Sequence, residues 1–537
     1  MKRVQQAFLV FAGIAVTWVG SAHGQILRLV KDIDSRQPTG SAGAVASQVT
    51  VAGSKVFFVL QSPAYGSEVW VSDATSTRLV KDIRLGPAGC DPRELVVLGA
   101  TLFFTADDGI HGRELWKSDG TPGGTKLLDD LRPGLATSSP RDLRVFQNRV
   151  GFVADDGVFG AEIYFTQGGK PELKRDIQVG ARGSNPLDLT VVDDKLFFSA
   201  DDGVAGRELW RFSNDHVTLV SDVVPGPVGS GPRDFGPDPR GPGVLFSADL
   251  AGRGRELMLH REGNLFALAD LNPNGSSSPS ALLGVGTDKT FFIADNGTHG
   301  RELFVFDATS LRLVKDLRPG SASSNIRDMQ AFGNKLVFVA DDGQHGAEVW
   351  VTDGSSTGTV LLDLRPGSAS SLPEEVRALG SDFIFRATLP NENVQLCVSD
   401  GTLAGTRVLA RPNSRANSNP RSFAATATHI FCIADLDAAA AQFVMVDRVQ
   451  GTVIHPRLLA PSTFGSNPRE LFPLHGSEVV LFQASTLETG AELFRSDGTP
   501  NGTFLVKDLS PGGRPSNPNS FVALEERVFF LADERLF

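Results

Sequence analysis

The 537-residue chain contains 57 glycines, 31 prolines and 36 phenylalanines, a balance typical of many short strands joined by tight turns. It is too long for one conventional core, unless repeated units each bury their surface against their neighbours. Its net charge of −11 argues against nucleic acid as a partner, because phosphate binding requires a basic face.

The first 24 residues have the pattern of a secretory signal peptide. Lys2 and Arg3 precede an apolar run over residues 7–19, and small residues follow at 21–24. The run is too short for a comfortable membrane span, and no second long apolar stretch occurs. We therefore expect residues 1–24 to be removed and residues 25–537 to be secreted, extracellular or periplasmic, without a membrane span.

The clearest repeat unit runs from Pro92 to Gly134. Four β-rich runs follow one another at 93–98, 101–106, 113–117 and 125–131, and Gly, Asp or Pro residues separate them. The apolar runs are continuous rather than alternating, which indicates strands buried on both faces. No segment is long and periodic enough to predict a helix.

A glutamate or glutamine that opens the third run marks the repeat along the chain. It recurs every 46 to 50 residues, at Glu68, Glu114, Glu162, Glu208, Glu256, Glu302, Glu348, Gln395, Gln442 and Glu492. Four strands in about 45 residues are typical of a β-propeller blade. The sequence therefore predicts an all-β fold, a propeller of four-stranded blades with ten complete repeats.

The chain ends resemble complementary parts of one more repeat. Leu27–Ile33 matches a fourth run, and residues 521–537 match runs one to three. Pairing them would complete an eleventh blade and remove two exposed sheet edges, whereas the alternative is a chain cut within a repeat. Eleven blades exceed the usual range of about 4–8 per ring. One wide ring would leave a channel that side chains cannot fill, so two rings are slightly favoured.

The third and fourth runs carry the motif Glu-Leu-Trp-x-Ser-Asp-Gly-Thr, most clearly from Glu114, and in looser form from Glu348 and Glu492. This motif resembles the ELWxxDGT repeat family of secreted bacterial proteins. The resemblance covers residues 27–537, and it implies a propeller-like fold without assigning an activity. Gln395 and Gln442 depart from the motif, and the fourth repeat lacks the Asp-Gly-Thr turn after Trp210.

The Ala-Asp-Asp-Gly loop before the third run is a candidate calcium-binding site, because calcium prefers carboxylate oxygens on a glycine-containing loop. The Asp pair is intact at 107/108, 155/156, 201/202 and 341/342 but is halved or absent in other repeats. The glycine before the third run is retained more widely, at positions such as Gly112 and Gly346. We therefore interpret the loop as a structural turn, with calcium disfavoured and no other cofactor expected.

Catalytic motifs are missing from the sequence. The chain has no GxSxG elbow, HExxH helix or P-loop. Its acidic residues are too many and too regularly placed to single out a glycosidase pair. The sequence therefore favours a protein without catalytic activity and leaves open a site in a central channel.

One variable loop position suggests a binding surface instead. Immediately before the retained glycine, the repeats carry Tyr65, His111, Phe159, Ala205, Arg253, His299 and His345. A scaffold builds a binding face when a fixed turn presents a different side chain in each repeat around one rim. The alternative is that the residue at an exposed loop tip varies in sequence without a functional reason. We take Tyr65, His111, Phe159, Arg253, His299 and His345 as candidate ligand-binding residues.

These patterns predict a secreted, non-enzymatic scaffold that binds an extracellular glycan or protein through its blade loops. The alternative is an extracellular polysaccharide hydrolase or lyase with its site in the central channel. No membrane span or nucleic-acid partner is expected.

Overall fold

The computed structural model describes residues 45–62, 64–72, 77–390, 393–410, 418–426, 428–435, 441–448, 450, 453–454, 466–486, 488–499, 501–511, 513–524, 527–532 and 535–536, and the backbone of 7–11, 14–18 and 26–29. All regular secondary structure in these residues is β, as the repeat pattern predicts. Nowhere among them is there a helix long and apolar enough to cross a membrane.

The first sheet is formed by three short N-terminal strands. They are β1 (Ala7–Phe11), β2 (Ile14–Trp18) and β3 (Ile26–Leu29), paired antiparallel in that order. Residues 1–6, 12–13 and 19–25 lie outside the described residues, so the signal peptide over 1–24 stays a prediction.

Ten four-stranded antiparallel sheets follow, each with its strands in chain order, which confirms the ten complete repeats. We number these sheets blades 1–10. Blades 1–4 contain β4 (Val45–Ala52), β5 (Lys55–Ser62), β6 (Gly66–Ser72), β7 (Thr77–Leu79); β8 (Arg93–Leu98), β9 (Thr101–Asp107), β10 (Arg113–Ser118), β11 (Lys126–Leu127); β12 (Arg141–Phe146), β13 (Arg149–Asp155), β14 (Ala161–Thr166), β15 (Glu172–Leu173); β16 (Leu187–Val192), β17 (Lys195–Asp201), β18 (Arg207–Ser213) and β19 (His216–Ser221).

Blades 5–7 contain β20 (Arg233–Pro237), β21 (Val244–Leu250), β22 (Gly254–Arg261), β23 (Asn264–Ala267); β24 (Ser280–Val285), β25 (Lys289–Asp295), β26 (Arg301–Asp307), β27 (Leu311–Leu313); β28 (Arg327–Phe332), β29 (Lys335–Asp341), β30 (Ala347–Thr352) and β31 (Val360–Leu362). Blades 8–10 contain β32 (Glu374–Leu379), β33 (Asp382–Leu389), β34 (Asn393–Ser399), β35 (Arg407–Ala410); β36 (Arg421–Ala425), β37 (His429–Asp435), β38 (Ala441–Asp447), β39 (Val453–Ile454); β40 (Arg469–Pro473), β41 (Val480–Thr486), β42 (Gly490–Ser496) and β43 (Phe504–Lys507).

The C-terminal repeat forms a second three-stranded sheet, blade 11, with β44 (Asn519–Leu524), β45 (Arg527–Ala532) and β46 (Arg535–Leu536). Residues 27–33, expected as its fourth strand, are described only as far as Leu29, within β3, and β3 pairs with β2. The two ends of the chain do meet, because β1 lies beside β45.

The second strand of each blade is buried because both of its faces pack on other blades. In β9, Leu102 and Phe104 join a cluster with blade 1, whereas Phe103 joins a cluster with blade 3. Successive side chains of a strand point to opposite faces, so a continuous apolar run supplies both interfaces. Burial of each such side chain contributes about 1.5–3 kcal/mol to folding.

The blades form a single closed ring. Ten hydrophobic clusters each join one blade to the next, and an eleventh joins blade 11 to blade 1 through Phe529, Leu531, Phe58 and Trp70. First strands contact the first strands of both neighbouring blades all the way round, including β4 with β44, so the first strands surround the ring axis. The preference for two rings is therefore wrong, since two rings would require contacts that skip blades. Packing between blades, rather than filling of the channel, supplies the core.

Where its side chain is described, the glutamate or glutamine that marks the repeat anchors the third strand to the segment that leads into the next blade. Glu114 is fully buried, and it accepts hydrogen bonds from the Ser138 backbone N–H (3.0 Å) and hydroxyl (2.5 Å). Gln395 takes the same place in blade 8 and accepts a bond from the Ser418 hydroxyl at 2.6 Å. Because glutamine accepts the same bond, the residue acts as a buried acceptor rather than as an exposed acid.

Candidate functional site

The ring has two faces that differ in their connections. We call loop face the side that carries the loops between second and third strands and the segments that lead from one blade to the next. We call turn face the opposite side, which carries the turns between first and second strands and between third and fourth strands. All six predicted binding residues lie on the loop face.

The Asp pair of each loop is occupied by bonds within the protein. In blade 2, the Asp107 carboxylate accepts the Gly109 N–H at 2.7 Å and lies 3.4 Å from Arg84 of the preceding segment. The Asp108 carboxylate accepts the backbone N–H groups of Ile110 (2.9 Å) and His111 (2.8 Å). These bonds are those of a structural turn. Within the described part of the chain, no three His, Cys, Asp or Glu side chains are grouped to hold a metal ion.

The retained glycine is required by close packing of the loop on the next segment. Gly112 has φ +66°, and a Cβ atom on it would lie 2.4 Å from the Ala136 carbonyl oxygen. No larger residue fits there without moving the backbone. The loop therefore places the side chain of the residue before this glycine at the same position in each blade that retains the glycine.

The histidines at that position are fixed by partners in their own blade. His111 Nδ1 lies 2.6 Å from Asp108 Oδ2, and His345 Nδ1 lies 2.6 Å from Asp342 Oδ2. These carboxylates raise the pKa of both imidazoles above its usual value. His299 instead contacts Asn296 and lies 3.7 Å from Asp316.

The other three predicted residues are more varied. Tyr65 is exposed, and its backbone N–H donates to the Ser62 hydroxyl at 3.1 Å. Phe159 is half-buried, and Arg253 is exposed with its Nε 3.8 Å from Asp270. Among the described contacts, none joins two of the six residues, because each stands in a different blade. Their role in binding stays a prediction.

The loop face also carries a set of exposed aliphatic side chains that the sequence analysis missed. They occupy the loop tips and connecting segments of blades 1–4 and are between 62% and 87% exposed: Leu85, Ile110, Leu135, Val158, Val179, Val204 and Val228. We call this set the apolar rim. Its signal in the sequence is an Ile or Val after the loop glycine, or a Leu or Val within the connecting segment.

The apolar rim covers only part of the ring. At the loop position of Ile110, Val158 and Val204, blades 6 and 7 have the polar residues Thr298 and Gln344. Their connecting segments read Pro-Gly-Ser-Ala at 319–322 and 366–369, with a serine where blade 2 has Leu135, and the segment after blade 7 has one exposed aliphatic residue, Leu372. The same loop fold thus accepts polar residues, and folding does not require the aliphatic ones in blades 1–4.

The first strands bring many carboxylates towards the ring axis. Each carries a register shift whose second residue has a positive φ, as at Glu94 (57°) and Asp142 (57°). An acidic residue takes this position in seven blades, at Glu94, Asp142, Asp188, Asp234, Asp328, Glu375 and Glu470. The regular spacing singles out no pair that a hydrolase would need.

The turn face contains a cavity of about 640 Å³ between the outer parts of blades 3 and 4. Arg149, Lys174 and Asp215 line it, and they are already paired with one another: Asp215 lies 2.9 Å from Arg149 and 3.0 Å from Lys174. Phe165 and Pro171 add an apolar wall. Because its charges are internally neutralised, this cavity offers no free group for catalysis.

Neither a family model nor a curated protein matches the chain. Solved structures with some similarity to the chain include a mutant puromycin hydrolase, at 15% identity and a TM-score of 0.28, aligned over 67% of this chain and 58% of that one. The structure of a prolyl endopeptidase aligns at 14% identity and a TM-score of 0.32, over 65% of this chain and 54% of that one.

A third structure is the β-propeller domain of the Trilobed protease from Pyrococcus furiosus, at 10% identity and a TM-score of 0.26. The alignment spans 68% of this chain and 97% of that domain. The arrangement of the sheets and the contacts between successive first strands make the described chain an all-β propeller of four-stranded blades.

Proposed function

We propose that the protein is a secreted, non-enzymatic scaffold that binds a partner protein through the apolar rim of blades 1–4. Membership of the ELWxxDGT repeat family belongs to the same proposal. The observation that carries it is the set of exposed aliphatic side chains on one face, at one loop position of blades 2–4 and at varied positions in the connecting segments of blades 1–4, whereas the equivalent loops of blades 6 and 7 are polar.

The number of exposed aliphatic side chains on one face supports a binding role. Single exposed aliphatic residues are common on soluble proteins, whereas groups of them mark interaction sites. Seven such side chains lie in the loops and connecting segments of four consecutive blades, which also carry the aromatic candidates Tyr65 and Phe159. Water leaves this surface when a partner covers it, which supplies the driving force for association.

The chemistry of the apolar rim favours a protein over a glycan. Sugars are bound by aromatic platforms and by dense hydrogen-bonding groups, whereas this rim offers aliphatic tips whose neighbouring Asp residues are engaged in turns. The net charge of −11 also disfavours an anionic membrane surface. An apolar patch on a folded or extended protein segment is the complementary surface.

A peptide library displayed on phage tests the proposal with a matched pair of variants. The triple variant Ile110→Ser, Val158→Ser, Val204→Ser removes three rim side chains, and the control variant Thr298→Ser, Gln344→Ser changes the same loop position in blades 6 and 7. Peptides selected on the natural protein should be rich in apolar residues. The triple variant should bind them about tenfold more weakly or worse, and the control should bind them equally well.

Three results would overturn the proposal. One is selection of peptides that bind the triple variant as well as the natural protein. Another is glycan-array binding, or turnover of a polysaccharide, that the triple variant retains in full. The third is self-association in analytical ultracentrifugation that the triple variant loses, which would make a second copy of the chain the occupant.

A further inference from the structure

A small polar cavity of about 60 Å³ lies on the turn face between blades 4 and 5. Lys195 and Arg211 line it from blade 4, and His260 and Gly263 line it from blade 5. This cavity is separate from the apolar rim, which lies on the opposite face. It is also distinct from the larger cavity between blades 3 and 4.

At other blade junctions, the cation at the start of the second strand lies close to the Ser-Asp-Gly-Thr turn of the next blade. The Lys55 ammonium donates to the Asp119 carbonyl of blade 2, and its charge adds to the Thr121 hydrogen bond in lowering the pKa of the Asp119 carboxyl. Lys289 pairs with Asp288, and its charge adds to the Ser355 hydrogen bond in lowering the pKa of the Asp353 carboxyl of blade 7. Lys195 is the corresponding cation of blade 4, since it begins β17 as Lys55 begins β5.

Blade 5 lacks this turn, and its short replacement does not supply a carboxylate in the same place. In blade 4, a two-residue turn between Ser213 and His216 places Asp215 2.9 Å from Arg149, the cation of blade 3. The corresponding turn of blade 5 lies between Arg261 and Asn264, so Gly263 stands where Asp215 stands. The carboxylate that Asp215 supplies at the preceding junction therefore has no equivalent at this position beside Lys195.

Three polar side chains of the cavity, Lys195, Arg211 and His260, have no ion-pair partner within the described residues. Arg211 Nε is buried without a hydrogen bond, and no ion pair of Arg211 or Lys195 occurs in that part of the chain. His260 is only 5% exposed, and neither of its ring nitrogens is hydrogen-bonded by a described residue. Its burial beside Arg211 and Lys195 lowers the pKa of its imidazole to about 4, so the ring is neutral at pH 7 and can donate one N–H.

Two carboxylates also line the cavity. Asp193 accepts the Gly243 N–H at 2.9 Å, and Glu262 is exposed and forms no ion pair with Lys195 or Arg211 among the described contacts. Arg261, a third cation in the lining, pairs with the buried Asp238 at 2.5 Å. Lys195, Arg211 and the neutral imidazole of His260 thus face a space that holds about two waters, at roughly 30 Å³ each. Guanidinium and ammonium groups bind compact oxyanions through charge-assisted hydrogen bonds.

We propose that this cavity is a binding site for a compact oxyanion, a sulfate, phosphate or carboxylate group, held by Lys195, Arg211 and His260. The anion takes the place that the Asp215 carboxylate occupies at the preceding junction. The site arises where the turn between the third and fourth strands of blade 5 is short, and a bound anion links blades 4 and 5.

Titration calorimetry of the full chain with sodium sulfate and sodium phosphate, at ionic strength held constant with sodium chloride, tests the site. We expect saturable binding of one anion per chain. Lys195→Gln should weaken it about tenfold, because one charge-assisted bond is lost. A sulfated disaccharide, titrated in parallel, shows by its tighter or weaker binding whether the group belongs to a saccharide or to the free ion.

The chain offers a matched pair of variants for this test. Gly263→Asp restores the missing carboxylate; Gly263 has φ +79° with open space around it, and Asp215 itself adopts φ 66°. Gly252→Asp adds the same charge to the loop face of blade 5, also at a positive φ with open space. Gly263→Asp should abolish anion binding and raise the melting temperature without anion, whereas Gly252→Asp should bind as the natural protein does.

The proposal is overturned if neither sulfate nor phosphate binds saturably beyond the effect of chloride. It is equally overturned if Gly263→Asp and Gly252→Asp bind sulfate with the same affinity. If Gly263→Asp does not fold, Lys195→Gln decides alone, and unchanged affinity in that variant rejects the site.

Discussion

The buried glutamates make the stability of the folded protein depend on pH. Burial raises the pKa of Glu114 to about 7, although hydrogen bonds from Ser138 oppose the shift. The pKa of Glu68, Glu302, Glu348 and Glu492 is likewise raised to about 7. In the unfolded chain these carboxyls titrate near pH 4.5, so the folded state binds more protons between the two values. Stability from these residues is complete below about pH 4.5 and is lost as the pH rises through 7.

Replacement of one glutamate should remove its share of this pH dependence. We expect Glu114→Gln to be nearly neutral at pH 5 and to stabilise the protein at pH 8 by up to about 3 kcal/mol, because the amide carries no charge to desolvate. Thermal unfolding at both pH values measures the effect. The reciprocal variant Gln395→Glu should do the opposite and lower the melting temperature at pH 8 only. Equal shifts at both pH values would contradict this account.

At the level of the element, the Ser-Asp-Gly-Thr turn is a self-contained unit that closes the third and fourth strands. In blade 2, Asp119 accepts the backbone N–H (2.8 Å) and hydroxyl (2.7 Å) of Thr121, and the Thr121 hydroxyl accepts the Gly124 N–H at 2.9 Å. The same bonds recur at Asp400 and Asp497. The motif that dominates the sequence is therefore a turn rather than a catalytic site.

Two neighbouring glycines in this turn should respond differently to alanine. A Cβ on Gly124 would lie 2.0 Å from Asp119 Oδ1, whereas a Cβ on Gly123 meets nothing within 4 Å. We expect Gly124→Ala to destabilise blade 2 by about 1–3 kcal/mol through steric overlap, and Gly123→Ala to be nearly neutral. Hydrogen exchange of β10 and β11 measures the local loss. Equal protection of these strands in both variants would show that the turn tolerates the extra atom.

At the level of the whole molecule, ring closure makes the last blade a neighbour of the first. Phe529 is fully buried in the cluster that includes Phe58 and Trp70. Phe529→Ala should lower the free energy of local unfolding by about 3–5 kcal/mol. It should therefore raise the rate of amide hydrogen exchange in β5 as well as in β45. Phe338→Ala, at the junction of blades 6 and 7, is the control and should leave β5 protected. Unchanged exchange of β5 in Phe529→Ala would mean that the ring is not held closed there.

The sequence by itself determined the repeat, the four strands of each blade and the buried acceptor at the third strand. These features are local, because strand runs, turn residues and the Glu-to-Gln exchange all recur within about 50 residues. Only the tertiary structure decided the number of rings, since closure joins residues near 58 to residues near 529, and no local pattern specifies such a contact.

The surfaces also depended on tertiary structure. Whether Leu85 or Val228 is buried or exposed depends on what the neighbouring blade covers, and periodicity cannot distinguish these cases. Only the tertiary structure showed that the turn of blade 5, which has Gly263 where blade 4 has Asp215, lies beside Lys195. The residues that recur hold the fold together, and the surfaces open to a ligand arise where neighbouring blades differ.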